Sequence, residues 1–239
     1  MKQEIQRATA ESRAPRAGEE ANTYALPMAT LGSASHEFAE SYVADDQVLA
    51  AARARSVEIG LPAVSESTGA ALRLLAATAG AKAVVEVGTG TGVSGVWLLR
   101  GMRADGVLTT IDLEPEHQRV ARLAFREAGV SPSRTRLIAG RALDVLPRLA
   151  DGAYDLVLID ADPTEYQAYV AEAYRLLRHG GVVVLVGALA DGRVPDPTAR
   201  DPETVSLREL VKTIRDSDDW LPALLPLDGG LLAAVKSMV

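Results

Sequence analysis

Short runs of consecutive apolar residues recur along this chain, and segments with helical periodicity lie between them. The runs at 156–159 and 182–186 contain only aliphatic residues, which is typical of parallel strands covered on both faces. The pattern predicts strands at 83–87, 107–112, 135–139, 155–160 and 181–187. Helices are expected at 93–102, 115–129, 142–150, 165–178 and 203–216.

The two ends of this alternating region differ from its middle. Two further helices are predicted before the first strand, over 45–59 and 65–79. Near the C-terminus, apolar segments at 221–227 and 231–235 flank the turn sequence Asp228-Gly229-Gly230, which predicts a hairpin and an antiparallel last strand. The expected fold class is therefore α/β, with a doubly wound, mostly parallel seven-stranded sheet, an antiparallel C-terminal hairpin and N-terminal helices.

The first 35 residues lack this periodicity. They are rich in Ala, Glu, Arg, Thr and Ser, and we expect residues 1–35 to form a mobile N-terminal tail. The chain has 239 residues, of which 48% are hydrophobic, and this is enough for one large α/β domain. We therefore expect a single domain over 36–239.

The composition excludes some classes of binding partner and indicates the cellular compartment. A formal net charge of -7 gives no basic surplus with which to bind nucleic acid or an anionic membrane. The chain has no cysteine, so a disulfide, a zinc-thiolate site and a thiol nucleophile are excluded. It also lacks a signal-peptide pattern and an apolar run of about 18 residues. We expect a cytoplasmic protein that has neither a membrane nor a nucleic-acid partner.

A glycine-rich turn follows the first predicted strand, in the sequence from Glu86 through Gly88 and Gly90 to Gly92. Asp112 lies 20 residues after Gly92, at the end of the second predicted strand. In a doubly wound sheet, these two features lie side by side at the carboxyl ends of neighbouring strands. Glycines let a ligand approach the backbone, and a carboxylate accepts the hydroxyl protons of a ribose. The pattern predicts a nucleotide-binding edge.

The spacing of the glycines distinguishes between two cofactors. Gly90, Gly92 and Gly95 match the dinucleotide fingerprint, so an NAD-dependent enzyme is one hypothesis. However, the glycine that directly follows the strand is Gly88, and Glu86 precedes it by two residues. That register is the pattern for S-adenosylmethionine, whose methionine end is cationic. A turn with no ligand remains a further alternative, as does a role for Asp112 as a helix cap.

Several separated segments together resemble one family. They are Glu86 to Gly95, Ile111 to Pro115, Gly140-Arg141-Ala142 and 158–162, and they resemble the O-methyltransferases of the catechol and caffeoyl-CoA type over roughly residues 45–237. The resemblance implies a class I, Rossmann-like methyltransferase fold with S-adenosyl-L-methionine as the cofactor. It also implies a homodimer and a small hydroxylated acceptor, for which aromatic compounds are candidates.

The resemblance further implies a set of cofactor-binding positions around the glycine turn: Val64, Glu86, Gly88, Thr89, Ser94, Asp112, Ala142 and Asp162. The backbone at Val64 and the hydroxyl of Ser94 would hold the methionine carboxylate. Asp112 would bind the ribose, and the backbone amide of Ala142 would meet the adenine. Asp162 would lie near the sulfonium.

The acceptor side departs from the family. Relatives bind a divalent cation through the first aspartate of an Asp-Ala-Asp-Lys run and through an Asp-Asn pair after the next strand. Asp160 occupies the first position, but Pro163 replaces the lysine and Val186-Gly187 replaces the pair. One carboxylate does not make a Mg²⁺ site, so we expect no bound metal. Asp191 is expected to lie in a solvated turn.

Without the metal, Asp160 is the candidate catalytic residue, either as a base or as a substrate contact. The function expected is a metal-independent, S-adenosylmethionine-dependent O-methyltransferase. A catalytically weak relative that binds the cofactor as a sensor or interaction protein is the alternative. Among the other residues considered, His179 is expected to end a helix, His117 to lie on the surface and Trp97 to lie in the core.

Overall fold

Seven strands form a single sheet in the computed structural model, which describes residues 32–238. The strands are β1 (Ala83–Val87), β2 (Val107–Asp112), β3 (Thr135–Ala139), β4 (Tyr154–Ile159), β5 (Leu177–Leu185), β6 (Trp220–Leu225) and β7 (Leu231–Lys236). Their order across the sheet is β3-β2-β1-β4-β5-β7-β6. Strands β1 to β5 run parallel, and β7 is antiparallel to both β5 and β6. This order confirms the expected fold class.

Helices connect the parallel strands and precede the first of them. They are α1 (Ser33–Glu40), α2 (Gln47–Glu58), α3 (Glu66–Thr78), α4 (Val93–Gly101), α5 (Pro115–Glu127), α6 (Ala142–Val145), α7 (Tyr166–Leu176) and α8 (Pro202–Asp216). Ser65 caps α3, because its hydroxyl accepts a hydrogen bond from the backbone N–H of Thr68. In the described range, no helix is both long and apolar enough to cross a membrane. The tail expected at 1–35 lies outside the described residues except for 32–35, where α1 begins.

Both faces of the sheet are covered by helices, as continuously apolar strands require. Val84 and Leu156 face a core shared with α2, α3, α4 and α5. Their neighbours Val85 and Val157 face the opposite core, shared with α6, α7 and α8. Trp97 is 1% exposed, which confirms that it belongs to the core. It packs so closely on Gly69 that a Cβ there would lie 2.2 Å from the indole Nε1.

The expected boundaries differ most from the structure in two places. The helix expected at 142–150 ends as an α-helix at Val145 and continues as a 3-10 turn over Leu146–Arg148, because Pro147 has no N–H to extend it. His179 does not end a helix but lies in β5, which begins directly after α7. The early start is possible because β5 bulges: Tyr154 pairs with Leu177, whereas Leu156 already pairs with Val182.

The carboxyl ends of the central strands meet at one edge, where the chain leaves each strand. The N–H of Gly88 donates to the carbonyl of Ile111 at 2.9 Å, and the N–H of Asp160 donates to the carbonyl of Val87 at 2.9 Å. Likewise, the N–H of Gly140 donates to the carbonyl of Asp112 at 2.8 Å. The loops after β1, β2, β3 and β4 therefore begin side by side, and they form the walls of a single site.

Candidate functional site

A cavity of about 520 Å³ lies at this edge of the sheet. The loops after β1 to β4 line it, together with the segment between α2 and α3. Eight of the sequence-predicted site residues lie in its wall: Val64, Gly88, Thr89, Ser94, Asp112, Ala142, Asp160 and Asp162. Glu86 is the exception, because its side chain is fully buried behind the cavity and reaches the wall only through Ser94.

Glycine is needed at different positions of the turn for different structural reasons. Gly88 has φ +95, and a Cβ there would lie 1.8 Å from the carbonyl oxygen of Asp160, so β1 and β4 can converge only around a glycine. At Gly92 a Cβ would press on Ala121 of α5, whereas at Gly90 it would meet no atom within 4 Å. Gly90 therefore leaves its backbone open to a ligand in the cavity.

Asp112 is tied to the turn by its carboxylate. Its Oδ2 accepts hydrogen bonds from the backbone N–H groups of Thr89 at 2.9 Å and Gly90 at 3.0 Å. Its Oδ1 accepts from the N–H of Glu114 at 2.9 Å and lies 3.0 Å from Nδ1 of His117. The N-cap of α5 is Glu114, so the alternative that Asp112 caps this helix is wrong.

Two residues of α5 support the turn, and sequence reasoning missed both. His117 was expected on the surface, but it lines the cavity and contacts Asp112. Gln118 is buried and donates from Nε2 to Oγ1 of Thr89 at 2.8 Å. The first turn of a helix that follows a strand closely must lie beside that strand's end. The five-residue spacing between Asp112 and His117 was therefore the available signal.

Glu86 is a buried carboxyl beneath the cavity. Its Oε1 accepts a hydrogen bond from the hydroxyl of Ser94 at 2.6 Å, and its Oε2 has no hydrogen-bond partner among the described residues. Burial is the main reason that the pKa of Glu86 rises to about 7, and the nearby carboxylates of Asp160 and Asp112 add to the rise. A buried carboxyl with a free oxygen favours a cationic group nearby.

Asp160 and Asp162 follow β4 but differ in their surroundings. Burial raises the pKa of Asp160 to about 6, and the carboxylate of Asp228 in the β6–β7 turn contributes to this rise. Asp162 is exposed and caps the 3-10 turn Pro163–Glu165 by accepting from the N–H of Thr164 at 2.9 Å. Of these two carboxyls, Asp160 is therefore the one whose pKa lies closer to neutral pH.

The residues present do not fit the divalent cation that the family resemblance would imply. Val186 offers only a backbone carbonyl, which already accepts a hydrogen bond from the Tyr166 hydroxyl at 2.9 Å. Asp191 lies exposed in a left-handed turn, with Oδ1 against the backbone of Gly229. Within residues 32–238, no three His, Cys, Asp or Glu side chains are grouped to hold a metal ion.

Polar side chains close one rim of the cavity. The guanidinium of Arg141, from the loop after β3, pairs with the carboxylate of Glu165 in the 3-10 turn before α7. The same carboxylate accepts a hydrogen bond from the hydroxyl of Tyr169. All three residues line the cavity, and neither Glu165 nor Tyr169 was among the predicted site residues.

A parallel sheet with a glycine turn on one strand and a carboxylate on the next defines an α/β protein that binds a nucleotide-like cofactor. Comparison with known proteins gives a narrower result. The O-methyltransferase family matches residues 39–237. A protein from Mycobacterium tuberculosis, provisionally named an O-methyltransferase, is 56% identical over 210 residues, which are 88% of this chain and 94% of that protein.

Solved structures agree with this assignment. A protein from Corynebacterium glutamicum is 40% identical, with a TM-score of 0.81 over 87% of this chain and 97% of its own. The O-methyltransferase TomG from Streptomyces achromogenes, which is involved in tomaymycin synthesis, is 30% identical, with a TM-score of 0.77 over 87% of this chain and 97% of its own. TomG was solved in complex with S-adenosylmethionine. The chain belongs to the O-methyltransferase family, as the sequence resemblance implied.

Proposed function

We propose that this protein transfers a methyl group from S-adenosylmethionine to a hydroxyl of a small acceptor, without a metal ion. The observation that carries the proposal is the carboxylate of Asp112 joined to the glycine turn in a member of the O-methyltransferase family. TomG, a related structure, contains the same cofactor. Nothing in the comparisons supports the NAD-dependent alternative or the non-catalytic one.

We divide the cavity residues into three groups, one for each part of the cofactor. We assign the ribose to Asp112 and the adenine to the backbone at Ala142. We assign the methionine end to Val64, Thr89 and Ser94, with the carboxyl of Glu86 buried beneath it; a cationic ligand group would favour the ionised form of this carboxyl. The bound cofactor supplies a methyl group on a positively charged sulfur, and we assign Asp162 to the surroundings of this sulfur. The chain must then hold the acceptor oxygen in line with the methyl carbon and the sulfur.

Asp160 is the base in this proposal. The acceptor hydroxyl loses its proton to the Asp160 carboxylate, an oxygen–carbon bond forms, and the carbon–sulfur bond breaks with its electron pair on sulfur. A carboxyl whose pKa is raised to about 6 is a stronger base than an ordinary aspartate and is still mainly ionised at pH 7. Acidic hydroxyls such as phenols suit this base, because the residues present do not fit a metal that would lower the acceptor's own pKa.

The remaining assignments concern assembly and location. Phe38, Val57 and Leu74 in the N-terminal helices, and Tyr42 in the turn between α1 and α2, are all more than half exposed. Their apolar surface supports a homodimer formed through these helices. The absence of cysteine and the net charge of -7 support a cytoplasmic location and a small-molecule substrate rather than nucleic acid.

The proposal is tested by a methyl-transfer screen. Radiolabelled S-adenosylmethionine is incubated with the protein and a panel of catechols and simple phenols, each with and without EDTA. We expect labelled product from at least one acceptor, with turnover unchanged by EDTA. Turnover that EDTA abolishes and Mg²⁺ restores would contradict metal independence. Cofactor binding without transfer to any acceptor would instead favour the sensor hypothesis.

A further inference from the structure

The carboxylate of Asp112 is fully occupied by donors from the protein itself. A carboxylate offers about four lone-pair positions, two on each oxygen. The backbone N–H groups of Thr89 and Gly90 use both positions on Oδ2. The backbone N–H of Glu114 and Nδ1 of His117 use both positions on Oδ1. No position is left for a ribose hydroxyl.

Of these four donors, only His117 can withdraw without moving the backbone. The N–H groups of Thr89 and Gly90 belong to the turn that follows β1, and that of Glu114 is fixed at the start of α5. His117 reaches Asp112 with a side chain, which is 20% exposed and lines the cavity. An ionised carboxylate only accepts hydrogen bonds, so Nδ1 of His117 carries the hydrogen in this contact.

We propose that His117 occupies the place of a ribose hydroxyl in the free protein and is displaced from Asp112 when the cofactor binds. This rests on the assignment of Asp112 to the ribose. In the free protein, the imidazole satisfies a carboxylate whose side chain is only 10% exposed. On binding, one ribose hydroxyl donates to Oδ1 in its place, while Thr89, Gly90 and Glu114 keep Asp112 in position. His117 therefore lowers the cofactor affinity.

The inference is tested by combining a His117 variant with removal of the ribose hydroxyls. Calorimetric titration gives the Kd of S-adenosylhomocysteine and of its 2′,3′-dideoxy analogue for the wild type and for His117→Leu. We expect His117→Leu to bind S-adenosylhomocysteine two- to tenfold more tightly, as the loss of one competing hydrogen bond implies. For the dideoxy analogue, which cannot use the vacated position, the Kd should change less than twofold.

His179→Leu is the matched control. The ring of His179 lies 2.9 Å from the carbonyl oxygen of Ser237, near the start of β5 and away from the cavity lining, so neither Kd should change. If His117→Leu does not fold, His117→Ala serves the same purpose.

The inference is overturned if the His117 variant binds S-adenosylhomocysteine no more tightly, or if both ligands gain equally. If the wild type binds S-adenosylhomocysteine and the variant gives either of these results, the inference is refuted and the proposed function is unaffected. A wild type that does not bind S-adenosylhomocysteine at all contradicts the proposed function, and the inference fails with it.

Discussion

Replacing Glu86 by Gln should stabilise the free protein, and by an amount that grows with pH. Glu86 is fully buried, and its pKa rises from the ordinary 4.5 to about 7. In the unfolded chain the carboxyl is ionised above pH 4.5, whereas in the folded protein it holds its proton until about pH 7. Folding therefore takes up a proton between these values, and this group reduces the stability as pH rises.

The size of the effect follows from the same two pKa values. A rise from 4.5 to about 7 corresponds to about 3 kcal/mol of lost stability once the carboxyl is ionised in both states. Gln is nearly the same shape, and its carbonyl oxygen can still accept the hydrogen bond from Ser94 that Oε1 accepts now. We expect Glu86→Gln to equal the wild type near pH 4.5 and to exceed it by about 3 kcal/mol at pH 8.

Urea unfolding followed by circular dichroism, at several pH values from 4.5 to 8, measures this difference. Other titrating groups are common to both proteins and cancel in the comparison. The m-values should agree, since the same surface is exposed on unfolding. A stability difference that is independent of pH, or one that is largest at low pH, would refute the reasoning.

Three further substitutions test the site. Gly88→Ala should destabilise the protein by more than ~2 kcal/mol in urea unfolding, because its Cβ would overlap the Asp160 carbonyl at a positive φ; a near-neutral effect would contradict this packing. Asp112→Ala should weaken calorimetric binding of S-adenosylhomocysteine by more than ~1 kcal/mol, and unchanged affinity would exclude a ribose contact. Asp160→Asn should lower kcat at least ~100-fold, and wild-type kcat/KM, which reports the free enzyme, should fall below about pH 6 as Asp160 is protonated. A kcat/KM that does not change from pH 5 to 8 would exclude Asp160 as the base.

Much of the fold was predictable because hydrophobic periodicity depends directly on burial. The bounds of β1, β2 and β3 match the predicted strands residue for residue, since aliphatic and β-branched residues predominate in each of them. The early start of β5 was not predictable. It depends on a bulge against β4 around Gly180 and Gly181, and pairing between distant strands leaves no local signal.

Some residues of the candidate site were likewise predictable from the sequence, and others were not. Gly88 and Asp112 lie at strand ends, so topology alone brings them together once the strands are known. The sequence predicts a surface position for His117 because it lies in the first turn of a helix beside Glu116, and only the three-dimensional structure places its ring against Asp112. The Arg141–Glu165 ion pair joins two segments that are distant in the sequence, and no local sequence pattern shows that they lie close together.

Calorimetric titration of the full chain with S-adenosylhomocysteine, and separately with NADH, tests the central claim most directly. The account predicts one S-adenosylhomocysteine site per chain, weakened by Asp112→Ala, and no binding of NADH. Tight binding of NADH with no binding of S-adenosylhomocysteine would contradict it.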